Sequence, residues 1–301
     1  MRTALLVLLA TVPAWGGRGE ALSVVTTSTD LRALVEAVGG DRVRVESLGP
    51  AVHEPHVVEV TPGQLAKLTA AALLVRIGLD HEPWLARVLR AVGDSRFVPG
   101  SPRDLDVSKS VDLLQTETAR VRDEAAAHVH GFGNPHYWLD PANARPMTAA
   151  ILAALARLAP DGRDVFAANR ARFLARLDDA LARWTRTLAP YRGTRAVVVH
   201  DGWPYFARRF GLLVVASIEP APGVPPSAAS LAALTRKMRE ARVRLVIAEP
   251  SSNASLVSQV AARGGARAVV LVPSVGADPE ASDYVALFEL DVRRLVKALG
   301  P

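Results

Sequence analysis

With no cysteine among its 301 residues, this chain can ligate a metal only through nitrogen and oxygen, and its seven histidines are the side chains best suited to do so. They stand at positions 53, 56, 81, 128, 130, 136 and 200. His56 closes Gly49-Pro50-Ala51-Val52-His53-Glu54-Pro55-His56, a turn-rich connection after an apolar run. His136 lies in Gly133-Asn134-Pro135-His136-Tyr137-Trp138-Leu139-Asp140-Pro141, where prolines on both sides restrict the backbone and suit a rigidly held ligand. His200 ends the apolar run 195–199 and is followed by the turn pair Asp201-Gly202. A histidine just past the end of a strand stands at the edge where open α/β sheets bind ligands. His53 and His56 are three apart, but Pro55 disfavours helical backbone at Glu54, so one of that pair, not both, is expected to face an ion. Three imidazoles brought to one cleft make a typical zinc set with a further position open. A lone histidine is more often a surface or satisfied core residue, so the weight rests on this context.

The elements that must position these residues follow from hydrophobic period. Apolar strand-like runs at 22–27, 43–48 and 72–78 alternate with amphipathic stretches at 30–38, which stops at Gly39-Gly40, and from Thr61-Pro62 to about 71. That alternation predicts parallel sheet covered by helices. Thr61 is a natural cap, and Pro62 fits the first helical position, where its missing N–H costs nothing. The second half repeats the rhythm, with strands over 196–200, 212–218, 243–248 and 268–272 and helices near 203–210, 227–241, 254–263 and 281–299. The expected fold class is therefore α/β, with two parallel-sheet units. Between them, 161–188 keeps an unbroken helical pattern bracketed by Pro160 and Pro190, with Phe166, Phe173, Leu177, Leu181, Trp184 and Leu188 on one face. Such a helix would span roughly 40 Å, and it fits a strut between lobes or a long core helix of one larger domain equally well. Residues 107–132, which include His128 and His130, read as a polar surface loop with at most a short helix.

Composition sets the outer bounds. A chain of this length that is 50% hydrophobic can bury a real core. Its net charge of +6 is scattered among acids, with no basic run of the kind that binds nucleic acid. Residues 1–21 read as an export signal: Arg2, a short apolar run over 4–10, then small and turn residues. That run is too short to span a bilayer, and no later segment has the length of a membrane helix. Without a cysteine after the signal for a lipid anchor, the mature protein is expected free in a bacterial periplasm, as a monomer.

At the three histidines the sequence resembles the metal-binding class of solute-binding proteins of ABC importers, the zinc and manganese receptors, over nearly all of the chain after the signal. Pro50 to Pro62 resembles that family's first ligand motif, Asn134 to Pro141 its second, and Val197 to Leu212, with Trp203, Tyr205-Phe206 and Phe210-Gly211-Leu212, its third. The resemblance implies two α/β lobes joined by one long rigid helix, with the metal in the cleft between them. On this chain that means a signal peptide over 1–21, an N-terminal lobe over 22–160, a linker helix over 161–190 and a C-terminal lobe over 191–301. Carried over residue by residue, it implies His56, His136 and His200 as metal ligands and leaves His53 out. It likens 107–132 to a histidine-rich loop reduced to His128 and His130. Family members with four protein ligands take an aspartate just after the last strand; here Pro273 stands in that place. The fourth position then falls to a water, Glu249, Asp278 or Asp283.

The expected function is capture of a divalent transition metal, zinc ahead of manganese because the ligands are nitrogen-rich, and delivery to an ABC permease in the inner membrane, without catalysis. Asp140, Asp201 and Glu54 are the nearest acids to accept the second N–H of each imidazole. A zinc-dependent hydrolase is the competing class, since three imidazoles with an open position can activate water, but no His-Glu-x-x-His helix supplies a base. A periplasmic zinc chaperone without a transporter is the third possibility.

Overall fold

The computed structural model describes residues 21–51, 58, 60–116, 133–220 and 224–300. Residues 1–20, nearly all of the segment expected to be an export signal, lie outside the described residues, as do His53, Glu54, His56, His128 and His130.

The first lobe opens with β1 (Leu22–Thr26), where the successive residues Val24 and Val25 are both buried, as a parallel strand covered on both faces requires. Helix α1 (Thr29–Gly39) starts at Ser28, whose hydroxyl accepts the N–H of Leu31, buries Leu31, Leu34, Val35 and Val38 along one face, and stops at Gly40 with φ of 53°. After β2 (Val43–Ser47), helix α2 (Pro62–Ala70) is set by a reciprocal capping box between Thr61 and Gln64. Then come β3 (Leu73–Arg76), α3 (Leu85–Val92) and β4 (Asp104–Asp106). The sheet is parallel throughout, in the order β2-β1-β3-β4. Strand β4 carries no apolar run: two of its three residues are acids, held by Arg76 on β3 at 2.8 Å from Asp104 and 3.1 Å from Asp106.

Helices α4 (Ala144–Leu158) and α5 (Arg163–Leu188) lead to the second lobe. It comprises β5 (Arg195–Val198), α6 (Pro204–Phe210), β6 (Leu213–Ser217), α7 (Ala228–Glu240), β7 (Leu245–Ala248), α8 (Ala254–Gly264), β8 (Arg267–Val270) and α9 (Tyr284–Leu299). Its sheet is again parallel, in the order β6-β5-β7-β8. The protein is thus two parallel-sheet α/β lobes joined by a long helix.

Helix α5 begins later than the sequence pattern suggests, because Pro160–Gly162 forms a tighter turn of its own. Over its 26 residues it buries Phe166, Phe173, Leu174, Leu177, Ala180, Trp184 and Leu188, packing on α1 and α4 of the first lobe and α9 of the second. It is strut and core helix at once. One apolar cluster runs from Leu34 and Val38 through Phe173 and Leu177 to Phe206 and Phe288, so the lobes share a core and do not merely hang from a linker.

Polar ties cross the same boundary. Asp140, fully buried before α4, takes a two-pronged ion pair from Arg209 of α6 at 2.6 and 2.9 Å. The indole N–H of Trp138 donates to the Pro273 carbonyl at 2.9 Å, and the Tyr284 hydroxyl donates to the Trp138 carbonyl at 2.5 Å. Among the described residues no helix is long and apolar enough to cross a membrane.

Arg209→Ala would leave Asp140 as a buried carboxylate short of its guanidinium. Breaking a buried pair costs about 3–5 kcal/mol. Arg209 is partly exposed and Arg208 stands 3.9 Å from Asp140, so a loss of about 3 kcal/mol, the lower end of that range, is expected in urea unfolding. A loss no greater than the roughly 1 kcal/mol of an exposed pair would show that this contact does not tie the lobes.

Candidate metal centre

His136 follows a rigid Pro135 corner in the first lobe, and His200 lies two residues past the end of β5 in the second. Their Nε2 atoms stand 3.3 Å apart. Two zinc–nitrogen bonds of about 2.0–2.1 Å at a tetrahedral angle place their nitrogens roughly 3.3–3.4 Å from each other, so this pair is spaced to share one ion. The protonation of His136 follows from its neighbour. Asn134 donates its amide N–H₂ to the Asp201 carbonyl at 2.8 Å and to Gln115 Oε1 at 3.0 Å. Its Oδ1 can then only accept, and it takes both the backbone N–H and Nδ1 of His136 at 3.0 Å. With the proton on Nδ1, the lone pair on Nε2 faces His200. Gly202 makes the approach possible: a Cβ there would sit 3.2 Å from His200 and 3.3 Å from His136.

His136 and His200 line a cavity of about 60 Å³ that also takes in His81, Trp138, Asp30, Glu249 and Pro273. The Trp138 ring packs against His136 at 5.2 Å and His81 at 5.1 Å between centroids. Of the three histidines expected as ligands, the structure brings His136 and His200 together, while His56 lies outside the described residues. Among the described residues no three histidine or acid side chains converge closely enough to hold an ion.

The candidates for the fourth position separate clearly. Glu249 lines the cavity and accepts the indole N–H of Trp203 at 3.1 Å. Asp278 is instead paired with Arg294 at 2.6 Å, and Asp283 caps α9 while pairing with Arg176 at 2.9 Å. The acids expected to orient the imidazoles are also engaged elsewhere: Asp140 by Arg209 and Asp201 by Gln115. Asn134 orients His136, a role that sequence reasoning gave to acids because it looked for charge, whereas a neutral amide does the same work between two neighbours. His81 was also passed over. It lies five residues past the end of β3, and the strand-edge rule that singled out His200 would have found it.

Two parallel-sheet lobes closed on a small, histidine-lined cavity at their strand ends define a bilobed solute-binding protein. The chain belongs to the family described as zinc-uptake complex component A, periplasmic, whose model matches residues 24–298. It is 29% identical over 319 residues to the high-affinity zinc uptake system protein ZnuA of Paracoccus denitrificans, covering 94% of this chain and 93% of that one. To the protein of the same name from Bacillus subtilis it is 27% identical over 269 residues, covering 88% of this chain and 82% of the relative. Among solved structures, a ZnuA deletion mutant with zinc bound superposes with a TM-score of 0.77 at 29% identity, covering 94% of this chain and 99% of that one.

Two buried carboxyls border the cavity. Glu82 accepts the Thr27 hydroxyl at 2.5 Å and the N–H groups of Ile77 and Gly78 at 2.7 and 3.0 Å, yet desolvation pushes its pKa from 4.5 to about 7. Asp30 accepts the N–H of Val275 from the opposite lobe at 2.9 Å, and burial raises it from 3.8 to about 7 against the weaker pull of that N–H and of the Ser274 hydroxyl. A carboxyl raised on folding binds its proton more tightly in the native state, so its contribution is intact below pH 3.8 and is lost as pH rises towards about 7. Asp30→Asn keeps the acceptor for Val275 and removes the titration. Its stability relative to wild type should therefore climb by about 1.4 kcal/mol per pH unit between these two values and level off above them. Parallel pH profiles for the two proteins would contradict this.

Proposed function

We propose that this chain, after loss of a signal peptide over 1–21, works in the periplasm as a monomeric receptor. It captures zinc between its two lobes and delivers it to an ABC permease in the inner membrane. The observation that carries this reading is the pair of Nε2 atoms 3.3 Å apart, one from each lobe, with His136 held by Asn134 in the tautomer that a metal needs. His56, His136 and His200 are the ligands in this reading, His56 entering from the connection after β2. The lobes correspond to residues 22–160 and 191–301 and the linker to 161–190. Nitrogen-rich ligation favours zinc over manganese, which suits carboxylate oxygen better. The protein acts as a carrier and not as an enzyme: the Glu82 carboxyl beside the cavity is committed to the backbone N–H groups of Ile77 and Gly78.

Because the two imidazoles belong to different lobes, release follows from any movement that separates them, and the permease would supply it by docking on both. A shift of about 1 Å would stretch a bond of about 2.0 Å beyond coordination range.

Competition titration of the purified protein with a chromophoric zinc chelator tests the reading. His136→Ala, His200→Ala and His56→Ala should each weaken zinc binding by about 100-fold or more, and Asn134→Ala by about 10–100-fold, the usual cost of losing a group that orients a ligand. Undiminished zinc affinity in His136→Ala or His200→Ala would remove that residue from the site. Zinc-dependent hydrolysis of ester or amide substrates would favour a hydrolase instead.

A further inference from the structure

His81 lines the same cavity as His136 and His200 although no ligand motif contains it, and four observations bear on what it does there. It is buried, at 2% exposed. Its ring centroid lies 5.4 Å from that of His136, close to the 5.0 Å that separates His136 from His200. Two imidazoles on one tetrahedral zinc have centroids roughly 5 Å apart, given bonds of about 2.0–2.1 Å; the His136–His200 pair matches this, and His81 stands about as near to His136 although the three rings do not converge on one point in this conformation.

The backbone that delivers His81 is held in an unusual shape. Gly78, Leu79 and Asp80 have φ values of 81°, 56° and 56°, three consecutive residues in the left-handed region. For the two that are not glycine this costs about 1–2 kcal/mol each. The turn persists because Glu82 grips its base through the N–H groups of Ile77 and Gly78, and because the His81 N–H closes on the Gly78 carbonyl at 3.0 Å. Strain kept by a dedicated buried clamp is the pattern of a side chain placed for use. A histidine needed only to fill space could be carried by a relaxed turn.

Finally, one residue of the cavity wall contributes no side-chain donor. Pro273 lines the cavity, and its carbonyl is taken by the Trp138 indole.

We propose that His81 is a further ligand of the cargo metal, adding an imidazole beside His136 and His200. The inference rests on the metal-receptor reading and specifies its ligand set. In the present conformation His81 meets His136 edge to face, so the bond forms as the ion enters and the ring turns toward it. A fourth nitrogen in place of a carboxylate raises the preference for zinc over manganese.

Zinc competition titration and zinc X-ray absorption on the full chain test this, using wild type, His81→Gln and His81→Leu. The expected result is zinc binding at least about tenfold weaker in both variants, one fewer imidazole in their absorption spectra, a changed visible spectrum when Co²⁺ replaces zinc, and a smaller ratio of zinc to manganese affinity. Zinc affinity within about twofold of wild type and an unchanged imidazole count would overturn the assignment and leave His81 as a packing partner of Trp138. If neither variant folds, the wild-type count decides: four imidazoles uphold the ligand, and three or fewer overturn it. A wild-type protein that binds no zinc would instead overturn the receptor reading, and this inference with it.

Discussion

The 3.3 Å between the Nε2 atoms of His136 and His200 can be kept only if the two lobes that carry them hold a fixed distance, and a single amide spans that gap. Asn134 takes the Nδ1 proton of His136 on its oxygen and gives its own N–H groups to Gln115 and to the carbonyl of Asp201, the residue after His200. One side chain therefore sets the tautomer of one imidazole and the position of the strand end that bears the other. Its surroundings are built to keep it in place: the Tyr205 hydroxyl donates to the Asn134 carbonyl at 2.7 Å while accepting the N–H of Leu114 at 2.9 Å. Loss of this amide would free His136 to turn and would also loosen the contact between the lobes.

The rest of the boundary between the lobes has the character of a protein interior. The apolar cluster around α5 is continuous from one sheet to the other, and packed interiors resist gradual deformation. Over it lie ties of two kinds. Asp140 meets Arg209 as a charged pair, whereas Asp30 faces Val275 as a buried carboxyl with only N–H and hydroxyl partners. The loop after β8 is gripped from both sides, by Asp30 of the first lobe at Val275 and by Asp291 of α9 at Val272. This is the loop in which Pro273 stands where an acid ligand was expected, and it contributes backbone contacts in place of a charge. A partner that opens the cavity must work against these bonds as well as the metal's own.

Hydrophobic period and turn chemistry made much of the architecture legible. Thr61 and Gly40 mark helix ends because capping and the left-handed region are local matters, and the one-sided apolar face of α5 needed nothing beyond its own 26 residues. Strand β4 and helix α3 escaped notice for the complementary reason. Asp104 and Asp106 are strand residues only because Arg76 of the adjacent strand receives their charge, and that neighbour lies far along the chain.

The candidate site divides along the same line. The residue types, the strand-edge position of His200, the proline-bracketed position of His136 and the exclusion of thiol ligands were determined by the sequence itself, since each depends on near neighbours in the chain. Which groups meet was decided by the tertiary structure. Asp140, adjacent to the second motif, turns away to an arginine 69 positions later, while His81, which belongs to no motif, reaches the imidazole of His136. Such pairings depend on how two sheets and a shared helix are packed, and distance through space between residues far apart in sequence leaves no local trace in composition or spacing.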